Sequence, residues 1–187
     1  SGLYGFPSDC SLTSLIWSNK TGYPCDGDYR EFYRDIGYYL PMEYVEKYMH
    51  EPKLRVFTGY KYYAITGKTD DKNYYSKEKA REKLLLHVEN FLYNIRKKGS
   101  LLDACNIQYH VFNLTFDAEL FGHRWYEGID FLEHTLRAMA KDSENFVFKS
   151  SSDIIDNHGK VDTIRVNESS FGLRGGADTW LDSSNSW

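Results

Sequence analysis

Asp117 and Glu119 lie two residues apart in the stretch Phe116-Asp117-Ala118-Glu119-Leu120-Phe121-Gly122-His123-Arg124-Trp125. If extended geometry persists through them, both carboxylates point to one side of the chain. A carboxyl group beside a scissile bond can donate and recover a proton. Glycoside hydrolysis uses two carboxyls flanking the sugar ring, and one short segment can supply at most one of them. A metal site is the competing chemistry. His110, Asp117, Glu119, His123 and Glu127 are all ligand types, and Glu119, His123 and Glu127 recur at i, i+4 spacing. No HExxH or paired ExxH motif accompanies them. Gly122 and Gly128 also argue against one continuous helix, so no metal and no cofactor is expected. An acidic surface cluster is the plainest alternative.

Two further segments carry unusual chemistry. The run from Trp17 to Gly37 (WSNKTGYPCDGDYREFYRDIG) packs aromatics, Gly-Tyr-Pro turn chemistry and alternating charge together. The run from Ser169 to Leu181 (SSFGLRGGADTWL) sets Phe171 and Trp180 among glycines. Salt-bridged loop and flexible terminus are the plain readings of these two. Aromatic residues make up 17% of the chain, with 16 Tyr and 4 Trp. Tyr and Trp offer a flat apolar face with a polar edge, which suits a sugar ring that stacks through its C–H face and hydrogen-bonds through its hydroxyls.

These residues need elements to position them. Residues 1–30 lack a sustained period and read as a long loop, which in a compact domain is often functional. A short helix is expected over Tyr29–Ile36, and Leu54–Thr66 is β-branched and aromatic, as a strand would be. The clearest helix is Lys77–Lys98. Ser76 suits its N-cap, Ala80, Leu84, Val88, Phe91, Leu92 and Ile95 form one stripe, and Gly99 suits a C′ position. Gln108–Phe116 reads as a strand buried on both faces, with Asp117 and Glu119 at its C-terminal end. A second helix is expected over Asp130–Ala140 with Leu132, Leu136 and Met139 inward. Phe146–Phe148 reads as a short strand, Ser152 or Asp153 as the cap of a helical turn, and Asn167–Trp187 as loop. The alternation gives an α/β class with parallel strands, flanking helices and long aromatic loops. Such sheets carry function at the C-terminal ends of strands, where Asp117 falls.

Composition narrows the partners. The chain has 187 residues, 41% hydrophobic and 27% charged, with a formal net charge of −4. That fits a single segment, 1–187, able to build a core. Nucleic acid and anionic membranes select basic patches and are poor partners. No apolar run approaches the roughly 18 residues of a membrane span. Cys10, Cys25 and Cys105 form no zinc or redox spacing, and free thiols point to a reducing, cytoplasmic setting.

Taken in order, these segments resemble glycoside hydrolase family 57, branching-enzyme type. The resemblance rests on W-S-x-x-x-G-Y-P-x-D-x-x-Y-R-E-F-Y-R-D-I-G from Trp17, on Thr58–Gly67 (TGYKYYAITG), on F-D-A-E-L-F-G-H-x-W from Phe116, and on the Gly- and Trp-rich tail. It implies part of an incomplete (β/α)7 barrel and a retaining mechanism, with Asp117 as general acid/base. It implies an α-1,4-glucan substrate such as amylose or a glycogen-like polysaccharide. Trp17, Tyr23, Asp26, Glu119, His123, Trp125, Phe171 and Trp180 would be the substrate-binding or supporting residues. Loops Trp17–Asp26 and Phe171–Trp180 would exclude water so that transfer to a sugar 6-hydroxyl outruns hydrolysis. The family's nucleophilic Glu lies upstream of every segment matched. The resemblance therefore implies an N-terminal half of the barrel supplied in cis or in trans. Ser8, Cys25, Arg124 and Phe171 depart from the family pattern, which implies altered subsites. An α-amylase, a 4-α-glucanotransferase or a non-catalytic glucan-binding remnant are the alternatives.

Overall fold

The computed structural model describes residues 3–18, 20–51, 53–107, 109–157, 161–170, 177 and 181. The chain divides into two compact units, Ser1–Phe148 and Lys149–Trp187.

The first unit is built on helices. α1 spans Cys10–Trp17, inside the region expected to be loop. Its cause is Asp9, whose Oδ1 accepts from the backbone N–H groups of Ser11 and Leu12, both at 3.1 Å, an N-cap that the loop-rich composition obscured. Asp9 Oδ2 takes the Lys98 ammonium, which ties the start of α1 to the next long helix. Burial works against the charge of Asp9. The hydrogen bonds from Lys98, Ser11 and Leu12 outweigh it and hold the carboxyl below the usual carboxylate range. A 3-10 turn follows at Tyr23–Cys25, then α2 (Ile36–Tyr39), α3 (Met42–Val45) and a 3-10 turn at Glu46–Tyr48.

α4 runs Lys77–Ala104, capped by Ser76 Oγ on the N–H of Lys79. All six residues of the predicted stripe are buried. The helix does not stop at Gly99 as expected. Gly99 is buried within it, and a Cβ there would sit 3.4 Å from His110 Nε2, so the glycine leaves room for a neighbour. The real stop is Asn106, at φ 58°. Its N–H bonds to Asp103 O at 2.9 Å and that of Ile107 to Leu102 O at 3.1 Å, the paired bonds of a Schellman motif with Asn in the left-handed position. α5 spans Gly128–Lys141 and packs on α4. Its buried face is Phe131, Thr135 and Met139 rather than the expected Leu132, Leu136 and Met139. Phe131 fixes this rotation by packing on Phe91 (5.7 Å) and Trp125 (5.0 Å), leaving Leu136 49% exposed.

The expected strands are not formed. Among the described residues, extended pairing is limited to three isolated bridges: Arg30 with Ala64 and Tyr63 with Tyr74, both antiparallel, and Phe121 with Trp125, parallel. The predicted helix at Tyr29–Ile36 is displaced for the same reason. The Tyr29 carbonyl and the Glu31 N–H bond to Ile65 and Tyr63, both at 2.8 Å, so they are unavailable to a helix. Gly59 at φ 81° and the pull of Asp35 on the N–H groups of Thr58 and Gly59 break Leu54–Thr66 in the middle. Residues 109–116 pack on one side, not two. Phe112, Leu114 and Phe116 lie against the core while Val111 is 48% and Tyr109 76% exposed. The Asn113 carbonyl accepts from the N–H of Asp9 at 2.8 Å, and its side-chain amide bonds to Phe6 O at 2.6 Å, so this stretch pairs with irregular chain instead of a strand. At 146–148, only Phe146 joins the core, while Val147 and Phe148 are 71% and 59% exposed.

In the second unit, α6 spans Ser151–Asn157. Its cap is Ser150, earlier than expected. Ser150 Oγ accepts from the N–H of Asp153 at 3.1 Å, and Asp153 Oδ2 accepts from the N–H of Ser150 at 3.1 Å, a reciprocal capping pair.

Candidate active site

The turn from Asp117 to Gly128 is locked by its backbone. Leu120 N–H bonds to Asp117 O (3.2 Å), Trp125 N–H to Leu120 O (2.8 Å), Gly122 N–H to Trp125 O (2.8 Å) and Gly128 N–H to Trp125 O (3.0 Å). Gly122 has φ 87°, the left-handed region where a side chain is strained, and a Cβ there would also press Ile129 Cγ1 at 3.0 Å. Leu120 and Trp125 are 7% and 1% exposed and anchor the turn in the core. Asp117 stands at the lip, exposed, with no side-chain cap bond to the 3-10 turn Ala118–Leu120 that follows it. A fixed backbone carrying an accessible carboxyl is what proton transfer to a bound substrate needs.

The structure brings the second motif onto this turn. Tyr29 packs on Trp125 at 5.6 Å and Phe32 on His123 at 5.1 Å. The Arg30 guanidinium lies 3.6 Å over the ring of Tyr126, and the Arg30 N–H bonds to Glu127 Oε1 at 3.2 Å. Residues 29–32 and 123–127 therefore form one assembly. Glu119 and His123 are exposed, and Trp17 at the end of α1 is 49% exposed. Trp125, expected to bind or support the substrate, is a core side chain, 1% exposed. Its ring is enclosed by Tyr29, Phe121 and Phe131 and presents no face to a ligand.

Tyr23 and Asp26 face α4. Tyr23 is 8% exposed, stacks on His87 at 4.4 Å and donates to Asn90 Oδ1 at 2.6 Å. Burial pushes its phenol up to about 12. Asp26 lies 3.7 Å from both Lys83 Nζ and His87 Nε2, and the other His87 nitrogen shares a 2.7 Å hydrogen bond with Tyr29. Burial lowers the His87 pKa against the opposing pull of Asp26. Phe171 and Trp180 lie outside the described residues. Among the departures from the family pattern, Ser8 Oγ reaches Asn113 O at 3.5 Å, Cys25 Sγ reaches Ser18 O at 3.4 Å, and Arg124 is exposed. Among the described residues, no three His, Cys, Asp or Glu side chains gather as a metal would require.

Two carboxylates matter more than the sequence suggested. Asp35 is fully buried and accepts from Gly37 N–H (2.9 Å), Thr58 N–H (2.9 Å), Thr58 Oγ1 (2.7 Å) and Gly59 N–H (2.7 Å), with Lys61 at 3.8 Å. Burial opposes its charge, but these donors hold its pKa down. Its signal was position, directly before a helix start. Glu127 is 4% exposed, and burial raises its pKa despite Tyr75 and Arg30. The sequence offers it only as a candidate metal ligand.

No family model matches the chain. A probable 1,4-α-glucan branching enzyme of Mycobacterium tuberculosis is 32% identical over 138 residues, which are 72% of this chain and 22% of that protein. The chain thus spans about a fifth of the length of that curated relative. The solved α-amylase of Thermotoga maritima superposes with a TM-score of 0.73 at 37% identity, covering 83% of this chain and 30% of that one. The branching enzyme of Pyrococcus horikoshii gives 0.72 at 26% identity, covering 95% and 30%. Among the described residues no helix is long and apolar enough to cross a membrane. With the Trp17–Gly37 and Phe116–Trp125 motifs assembled against each other, and with branching enzymes and an α-amylase matching across most of its length, the chain belongs to glycoside hydrolase family 57, the family of the Pyrococcus horikoshii enzyme.

Proposed function

We propose that this chain is the acid/base-bearing part of a retaining 1,4-α-glucan branching enzyme, with Asp117 as the proton donor and acceptor. The observation that carries the reading is the exposed Asp117 carboxyl on a turn locked by four backbone bonds, in a chain 32% identical to a probable branching enzyme. In the first step Asp117 protonates the departing glycosidic oxygen of an α-1,4-glucan such as amylose or a glycogen-like polymer. In the second it takes the proton from an acceptor 6-hydroxyl as the new bond forms. The carboxylate nucleophile belongs to a part of the catalytic domain that precedes these motifs, supplied in cis or in trans. The assembled domain is an incomplete (β/α)7 barrel, where a neighbouring strand would complete the pairing of residues 109–116. Trp17, Glu119 and His123 contact the glucan directly, while Tyr23 and Asp26 act by fixing the loop on α4. Phe171 and Trp180 are assigned to the substrate on the resemblance alone. Three free cysteines support a reducing, cytoplasmic setting in glycogen-type metabolism.

A second reading, hydrolysis by an α-amylase, is favoured by the 37% identity to the Thermotoga maritima α-amylase. One experiment separates them. The full-length parent product is incubated with amylose, and α-1,6 linkages are counted by proton NMR, with Asp117→Asn as control. Branches that vanish in the variant are expected. New reducing ends without branches would turn the assignment to hydrolysis, and neither product from folded protein would sink both.

A further inference from the structure

A cavity of about 590 Å³ lies between the N-terminal turns of α4 and α5, walled by Tyr75, Arg81, Tyr126, Glu127, Asp130 and His134. Asp117 is not among its lining residues. The volume falls within the roughly 300–1,000 Å³ typical of small-molecule sites.

Its polar anchor is Glu127. Although this residue is the N-cap of α5, its side chain makes no capping bond. Oε1 accepts from the N–H of Arg30, while Oε2 is buried and, although the Tyr75 hydroxyl lies beside the carboxyl, meets no donor at hydrogen-bond geometry. A buried carboxylate oxygen without a donor is among the costliest unpaired groups in a protein, and a ligand hydroxyl would satisfy it. The rings are arranged for the same guest. Arg30 covers one face of Tyr126, Tyr75 meets that ring edge-on at 6.3 Å, and Tyr126 stays 46% exposed. Arg81 supplies donors, Asp130 acceptors and His134 either. Lys77 and Arg81 balance Glu127 and Asp130 in charge, which suits a neutral guest rather than a phosphate or a divalent cation.

We infer that this cavity is a second carbohydrate site, holding a short stretch of α-glucan through Glu127, Arg81 and the Tyr75–Tyr126 pair, separate from the Asp117 lip. The inference rests on the glucan reading above. A remote site of this kind adds affinity for longer chains without touching the reacting bond. Burial at the cavity wall raises the Glu127 pKa against the opposing pull of Tyr75 and Arg30.

The test is a maltotriose titration of the isotope-labelled full chain by amide chemical shifts. The comparison set is wild type, Tyr126→Ala, Arg81→Ala, Trp17→Ala and Asp117→Asn. Tyr126→Ala and Arg81→Ala are each expected to weaken maltotriose about tenfold, as the loss of one stacking face or one charged donor does. Asp117→Asn should leave that binding unchanged. Arg81 sits on the exposed surface of α4, so its variant keeps the test in hand if Tyr126→Ala fails to fold. Binding that survives both cavity variants but is lost in Trp17→Ala overturns the cavity site and leaves the glucan reading standing. No shift at any maltotriose concentration also overturns the cavity site, and the α-1,6 count on the parent enzyme then decides the glucan reading independently.

Discussion

The α4–α5 pair and the loop region from Arg30 to Tyr75 hold their shape by different forces. The helical pair closes around apolar rings: Trp125, Phe131 and Phe91 are 1%, 1% and 3% exposed. In the loop region many rings face outward, with Tyr33, Phe57, Tyr60 and Tyr74 all at least 67% exposed. What organises that region is charge turned inward. Asp35 gathers four donors from residues 37 and 58–59, Lys61 bonds to the carbonyl of Phe32, and Lys72 bonds to those of Ile65 and Gly67. One region resists acid and yields to cavities; the other tolerates truncated rings and yields to lost charge.

The strongest way to break the comparison is Trp125→Ala. It removes the ring that meets Tyr29, Phe121 and Phe131. A loss of about 3–5 kcal/mol is expected, as for other buried aromatics truncated to Ala. Chemical denaturation should show the whole first unit melting earlier, with the Asp117 turn included. A shift under 1 kcal/mol would mean that this ring does not anchor the turn.

Next comes Asp35→Asn. The amide keeps some acceptor capacity, but turns a donor toward the N–H of Gly59 and leaves Lys61 without its carboxylate neighbour. About 1–3 kcal/mol is expected to be lost, and it should be lost locally. Hydrogen exchange should quicken at Gly37, Thr58 and Gly59 while α4 stays protected. The pH dependence has a definite sign. The Asp35 pKa is lowered in the fold, so its contribution is present above the unfolded carboxylate value and disappears as pH falls through the folded one. Acid should therefore open the 35–59 region before the α4–α5 pair, and simultaneous loss of protection in both would contradict the division.

Glu127 behaves in the opposite way. Burial raises its pKa, so stability linked to it is full below the unfolded carboxylate value and declines as pH rises through the folded one. Glu127→Gln keeps an oxygen for the N–H of Arg30 and carries no charge. It should match wild type in acid and exceed it by about 1 kcal/mol at neutral pH, since removing an unpaired buried charge relieves desolvation. Denaturation midpoints at the two pH values measure this, and a Gln variant weaker than wild type at neutral pH would show that the charge is paired.

The same division explains what could be read from the sequence. The stripe Ala80–Ile95 and the Ser76 cap were legible because helix periodicity and capping are local. The Phe116–Trp125 motif was legible because it is continuous in the chain. The rotation of α5 was not, since Leu136 and Phe131 compete for the inside and only packing on Phe91 and Trp125 decides between them. The strands failed because β-propensity is realised only beside a partner, and Asn113 bonds instead to Phe6 and Asp9. Trp125 read as a substrate-binding or supporting residue without a choice between the two, because a motif carries no information on burial. The donors of Asp35 were invisible because three of the four, from Thr58 and Gly59, lie more than twenty residues downstream.

Gly99 offers the smallest effect and a clean discrimination between local and tertiary logic. As a C′ residue it would take positive φ, and Gly99→Ala would be destabilising. Among the described residues the positive-φ glycines are 59, 67 and 122, and Gly99 is interior to α4. A Cβ there meets His110 Nε2 at 3.4 Å, an ordinary contact. The helix-propensity gain of about 0.5–1 kcal/mol should then prevail. Gly99→Ala is expected to raise the denaturation midpoint slightly and to increase helix content at the Leu101–Ala104 end. A fall in stability would mean either that the turn at Asn106 is not the true helix end or that His110 needs the space more closely than its distance implies.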